Sequence, residues 1–201
     1  MSTIGLTGNF GMGKTTVLKM FGSMGARTFN IDSFVHSILE EPVTIKRIVM
    51  VLGSSVLSKR SKKPSLNKKR VASMIFNDPE KRRAVEKIIH PEVLRLLKQA
   101  EARILKKEPE AVIVFEVPLL FEAGYEKHFN KTIVVFSSRR NALRRIEGKG
   151  FTKDDAFRRI RAQMPVSVKL KLSDYSINNN YGLQRTEKRV KRILADLTRN
   201  L

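Results

Sequence analysis

Residues 8–15 read Gly8-Asn9-Phe10-Gly11-Met12-Gly13-Lys14-Thr15, a complete G-x-x-x-x-G-K-[ST] pattern. Glycines at this spacing let the chain turn so that successive backbone N–H groups face inward and cradle phosphate oxygens. A helix beginning near Lys14 adds its positive N-terminal end. In such a cradle Gly8, Gly11, Met12 and Gly13 supply backbone, and Lys14 reaches the β- and γ-phosphates of a nucleotide. Thr15 offers its hydroxyl to Mg²⁺, and Thr16 follows in the same first turn. Asn9 and Met12 stand where glycine or serine is common, and both side chains can point away from the phosphates.

Outward from this loop the apolar pattern falls into strands and helices. Thr3–Thr7 is a short apolar run. After the loop, Val17, Met20, Phe21 and Met24 share one helical face, and Gly25 closes that helix. Residues 27–31 read as a second strand ending at Asp32. Residues 33–106 read as mostly helical, with Asp78-Pro79 as a helix start and Pro91 expected to kink or split the long helix that follows. Residues 111–115 and 132–136 are near-continuous β-branched and aromatic runs, as suits parallel strands buried on both faces. Thr152-x-x-Asp155 resembles a capping box, residues 174–177 a last strand, and residues 183–199 a charged amphipathic helix. Strands alternating with helices predict an α/β fold, a doubly wound parallel sheet of the P-loop NTPase type in three layers. The stretch 33–106 is too long for a simple crossover and reads as a helical insertion on the substrate side.

Composition narrows the class. The 201 residues are 41% hydrophobic and 29% charged, which fits a globular chain rather than a disordered one. No apolar run approaches the roughly 20 residues that span a bilayer, so no membrane partner is expected. The start of the chain does not read as a secretory signal. Without cysteine, disulfides, thiolate metal sites and a cysteine nucleophile are excluded. These features suit a cytoplasmic protein. The net charge of +21 attracts polyanions, including nucleotides, nucleic acid and anionic membrane, and does not choose among them. The basic run 59–63 reads as a solvated loop rather than a ligand clamp, since flexible lysines position ligands poorly.

A phosphate loop implies a nucleotide but not its use. Asp32, at the carboxyl end of a strand beside the loop strand, faces the crevice where such sheets bind ligands. There it can take the proton of an acceptor hydroxyl or orient Mg²⁺; it can also serve only as a helix cap. From here the chain resembles dephospho-CoA kinase. That family typically shows D-x-D-x-x-x-H after the phosphate loop, then D-V-P-L-L-F-E, a Q-x-x-R and R-I-x-x-Q lid, and A-D-x-x-I-x-N. This chain carries Asp32 and His36, His90-Pro91, and Glu116-Val117-Pro118-Leu119-Leu120-Phe121-Glu122. It then has Arg144, Arg159-Ile160-Arg161-Ala162-Gln163-Met164-Pro165, and Asp174-Tyr175-Ser176-Ile177-Asn178-Asn179. The matches run in order from about residue 4 to 179. It departs from the pattern at Asn30 and Glu116, where aspartate is usual, and at Asn67, Lys68, Asn141 and Gly148.

The resemblance implies ATP and dephospho-CoA as substrates, Mg²⁺ as cofactor, and transfer of the γ-phosphoryl group to the ribose 3′-hydroxyl. It divides the chain into a nucleotide-binding core (1–32, 108–137, 170–201), an acceptor region (33–107) and a small helical lid (138–169). The lid segment 139–169 holds ten Lys/Arg against three Asp/Glu. Arg144 and Arg159 are its expected nucleotide contacts, with a solvated basic face as the alternative for each. Asp32, Lys14 and Arg144 are the expected catalytic groups. Asp32, His36, His90, Glu116, Pro118, Leu119 and Glu122 are the expected acceptor side, although a histidine before proline more often satisfies a local hydrogen bond. The rival expectations are another small-molecule or nucleoside kinase, a regulator that binds ATP without turnover, and a basic P-loop protein that binds nucleic acid. Against the last, no recognition helix or aromatic-interleaved basic sheet is visible.

Overall fold

The structure, a computed structural model, describes residues 2–58, 64–148 and 150–199. The basic run 59–63 lies outside the described residues. Two compact units are formed, one from Met1–Asn30 with Glu101–Leu201 and the other from Ile31–Ala100.

The first unit is built on five parallel strands in the order β2-β3-β1-β4-β5: β1 (Ser2–Thr7), β2 (Arg27–Asn30), β3 (Val112–Glu116), β4 (Lys131–Phe136) and β5 (Tyr175–Asn178). Every residue of β1 and β3 is buried, so Val112–Phe115 runs apolar without alternation, while β1 mixes Ile4 and Leu6 with small or hydroxylated residues that are buried too. On one face Ile4, Leu6, Val112, Val114, Ile133 and Val135 pack against Val17 and Phe21 of α1 (Lys14–Ser23). Val190, Ile193 and Leu197 of α9 (Leu183–Arg199) complete that layer. On the other face Gly5 leaves room for neighbours: a Cβ there would lie 2.9 Å from Phe129 and 3.0 Å from Leu120. Phe115, fully buried, stacks on Phe29 with ring centroids 5.1 Å apart. Three further helices follow β4: α6 (Arg139–Glu147), α7 (Lys153–Arg161) and α8 (Val166–Leu172). The α6 and α7 starts are capped by side chains, with Ser138 accepting the Asn141 N–H and Thr152 the Asp155 N–H.

The second unit is helical: α2 (Ile31–Ile38), α3 (Pro42–Leu52), α4 (Lys68–Asn77) and α5 (Pro79–Leu105) up to residue 100. Ile45, Ile48, Leu52, Val56, Leu66, Val71, Val85 and Ile88 form its core. Asp78 caps α5 by accepting the Glu80 and Lys81 N–H groups at 3.0 and 3.1 Å.

Two local expectations are corrected. Pro91 does not split α5, which runs through it unbroken. Val85 and Ile88 before it, and Val93 and Leu97 after it, are buried at helical spacing. Their burial outweighs one missing N–H bond. The second strand stops at Asn30, and α2 starts at Ile31. Asp32 therefore sits in the first turn of a helix rather than at a strand end, and the strand before it, β2, pairs with β3 and not with the loop strand β1. Among the described residues, no helix is long and apolar enough to cross a membrane.

Candidate functional site

The phosphate loop leaves β1 at Thr7 and enters α1 at Lys14. Gly13 caps α1 in the left-handed region, with φ 91° and ψ 25°. A Cβ at this position would sit 2.1 Å from Asn179 Nδ2, so both backbone shape and space demand glycine. The carbonyl of Met12 is held by two donors: Asn179 Nδ2 at 3.0 Å and Arg145 at 3.3 Å. The thioether of Met12, 6% exposed, accepts from Ser137 N–H at 3.0 Å. Lys14 Nζ lies 3.5 Å from the Asn9 carbonyl, folded along its own loop. Thr16 follows, exposed, in the first turn of α1, which contains no acidic residue to compete with an anion.

At the start of α1 the Thr15 hydroxyl donates to Glu116 Oε1 at 3.2 Å. Glu116 ends β3 and is 4% exposed. Its other oxygen accepts from Asn30 Nδ2 at 3.5 Å, and Asn30 and Glu116 are register partners across β2 and β3. The two departures from the family pattern are thus one contact. An amide beside the carboxylate avoids the like-charge repulsion that two acids would have there. Glu116, expected on the acceptor side, lies against the loop's hydroxyl. Thr15 and Glu116 are both oxygen donors, the type that suits Mg²⁺. Among the described residues no cluster of three or more His, Cys, Asp or Glu could hold a metal ion. Mg²⁺ in nucleotide sites does not need such a cage, since phosphates and water complete its shell.

The loop tip is held by the segment after α7. Gln163 Oε1 accepts the Phe10 N–H at 2.8 Å, and Asn9 Nδ2 donates to the Met164 carbonyl at 3.1 Å. The Arg159 guanidinium lies over the rings of Phe10 and Phe151, 5.3 and 4.9 Å from their centroids. Glu122, with its side chain 19% exposed, pairs with the fully buried Lys169 at 2.8 Å and accepts the Met164 N–H at 3.0 Å.

Sequence reasoning missed Arg145, Asn179 and Asn180. Besides holding Met12, Arg145 donates to the Asn179 carbonyl at 2.8 Å. Burial, and then the neighbouring Arg144 charge, lower its pKa from the usual arginine value. Arg144 is exposed on α6. Asn180 accepts from the Ser138 N–H at 2.7 Å and from Asn141 at 3.2 Å. A signal existed for the asparagines, three in a row that begin at the last residue of β5 and include the Asn179 of the quoted motif, but the Met12, Ser138, Asn141 and Arg145 partners lie elsewhere in the sequence.

The remaining expected acceptor residues are placed as follows. Thr7 donates to the Pro118 carbonyl at 3.3 Å, and Leu119 is 46% exposed. Asp32, His36 and His90 belong to the helical unit. Asp32 is exposed, in the first turn of α2. His36, in the last turn of that helix, accepts from Lys68 at Nδ1 (2.9 Å) and places Nε2 3.0 Å from Glu40. His90 lies within α5.

With this geometry, comparison with known proteins gives a consistent result. The family model described as dephospho-CoA kinase matches residues 2–185. A dephospho-CoA kinase of Aquifex aeolicus is 33% identical over 201 residues, covering all of both chains. A crystal structure from Thermus thermophilus superposes with a TM-score of 0.86 at 30% identity, over 98% of this chain and 97% of that one. The dephospho-CoA kinase of Campylobacter jejuni gives 0.69 at 25% identity over 98% of each. Loop, sheet order and full-length similarity agree, and the chain belongs to the dephospho-CoA kinase family.

Proposed function

We propose that this chain transfers the γ-phosphoryl group of ATP to the ribose 3′-hydroxyl of dephospho-CoA, giving CoA and ADP. The observation that carries this reading is the Thr15–Glu116 contact at the mouth of a complete phosphate loop. It joins a phosphate cradle to a carboxylate suited to a divalent cation, and family membership supplies the acceptor. The family also supports the cytoplasmic setting read from the sequence.

In this mechanism the loop amides and Lys14 hold the β- and γ-phosphates, and Thr15 with Glu116 provides the Mg²⁺ side. The cation, when bound, neutralises charge on the β- and γ-oxygens. Asp32 accepts the acceptor hydroxyl's proton or orients that hydroxyl as it attacks. Arg144 and Arg159 stabilise the transferring group from residues 138–169, which serve as the lid. His36 and His90, within the acceptor region 33–107, contribute to binding dephospho-CoA, as do Pro118 and Leu119.

An ADP-release assay with ATP, Mg²⁺ and dephospho-CoA tests this reading. ADP should form only when dephospho-CoA is present. Equal release without acceptor, or turnover confined to nucleosides, would overturn it.

A further inference from the structure

We propose that Glu122 and Lys169 are positioning residues for the nucleotide, in place of the acceptor role expected for Glu122. The proposal rests on the kinase reading for its kinetics, but not for its binding test.

One chain of contacts inside the first unit connects this pair to the phosphate loop. Lys169, on α8, is fully buried, and its ammonium lies 2.8 Å from Glu122 Oε1. That oxygen also accepts the Met164 N–H at 3.0 Å. The carbonyl of Met164 accepts from Asn9 Nδ2 at 3.1 Å. One residue earlier, Gln163 Oε1 accepts the Phe10 N–H at 2.8 Å. The pair is thus two links from Asn9 and Phe10, the first residues after Gly8 in the phosphate loop. Asn9 is itself 4% exposed, so its contact with Met164 is shielded from water.

A buried ammonium is tolerated only beside an opposite charge, and its partner is fixed in turn by that need. Glu122 is therefore held where it can receive the Met164 amide, and residues 163–164 are set at a fixed distance from the loop. The loop has few bonds of its own at this end; Met12 N–H to the Asn9 carbonyl, at 3.2 Å, is one. If residues 163–164 shift, the tip shifts with them, and with it the amide donors meant for phosphate. Neither Glu122 nor Lys169 needs to touch the nucleotide for this effect.

Four variants test the proposal: Gln163→Ala, Glu122→Gln, Lys169→Met and the double variant Glu122→Gln/Lys169→Met. The readouts are ADP affinity by calorimetry, separate KM values for ATP and dephospho-CoA, and thermal melting. Gln163→Ala and Glu122→Gln should each weaken ADP binding and raise KM for ATP about tenfold, with KM for dephospho-CoA within about twofold. The double variant removes the lone buried charge yet keeps an oxygen for the Met164 amide. It should recover ADP affinity to within about threefold of the parent. Lys169→Met alone should weaken ADP binding as Glu122→Gln does. Should a single charge variant fail to fold, Gln163→Ala and the double variant still decide. Unchanged ADP affinity in Gln163→Ala, or a rise confined to KM for dephospho-CoA in Glu122→Gln, overturns the proposal. If the parent protein does not phosphorylate dephospho-CoA, the kinase reading fails, while the ADP titrations still test the positioning role.

Discussion

The Thr15 hydroxyl donates to Glu116 Oε1 across 3.2 Å, joining the first turn of α1 to the end of β3. Glutamate reaches further than aspartate by one methylene, and here that reach brings it to the hydroxyl. Replacing Glu116 with glutamine keeps the size and removes the charge. Turnover should fall by about 10², and the Mg²⁺ concentration for half-maximal rate should rise. ADP affinity measured without Mg²⁺ should stay unchanged. A magnesium titration of rate, paired with magnesium-free calorimetry, reads both effects.

Asp32 is exposed in the first turn of α2, outside the apolar core of the helical unit. Asp32→Ala should therefore leave melting temperature and ADP affinity close to the parent values. Turnover of dephospho-CoA should drop by about 10² or more. A normal turnover number in this variant would remove its assigned role.

The neighbouring arginines of α6 should separate cleanly. Arg145 donates to the Met12 and Asn179 carbonyls, so Arg145→Ala should cost about 2 kcal/mol and lower the melting temperature by about 4–8 °C. Arg144 is exposed, so Arg144→Ala should leave melting nearly unchanged and reduce turnover. Differential scanning calorimetry beside steady-state rates distinguishes the two.

Asp174 ties the start of β5 to β4. Burial by itself raises its pKa, but the Lys131 ammonium at 3.0 Å and the Thr132 N–H and O–H at 2.8 and 2.9 Å outweigh burial. The net shift is below the usual carboxylate value. The folded chain thus binds this proton less tightly than the unfolded one. The stabilisation is complete above the unfolded pKa of about 3.9. It is lost as pH falls through the lower folded value. Asp174→Asn should melt earlier than the parent near neutral pH, and the gap should narrow as acid is added. Melting curves for both proteins over an acid-to-neutral series check this; a constant gap would contradict it.

β3 was legible because its residues are buried on both faces, which leaves the apolar run Val112–Phe115, and β1 because it leads straight into the phosphate loop. The phosphate loop was legible because its geometry demands glycine at fixed positions. Helix phase was harder. Arg144 and Arg145 are equivalent by composition, but only Arg145 lies on the side of α6 that turns toward the loop. The Asn179 contacts to Met12 and Arg145 were invisible because those residues are far from it in sequence. The onset of α2 was misplaced because Ile31, apolar and buried, extends the strand pattern of Phe29 while it is already helical. Pro91 reads locally as a break because propensity takes no account of the buried apolar face on either side of it.

The double grip on the Met12 carbonyl has an effect on timing. A peptide group is rigid and planar, and its oxygen and hydrogen point opposite ways. Fastening the oxygen at two points therefore also fixes the direction of the Gly13 amide hydrogen. Little backbone freedom is then left to lose at that point on encounter, so ADP association followed by stopped flow should be a single concentration-dependent phase with no slow rearrangement after it.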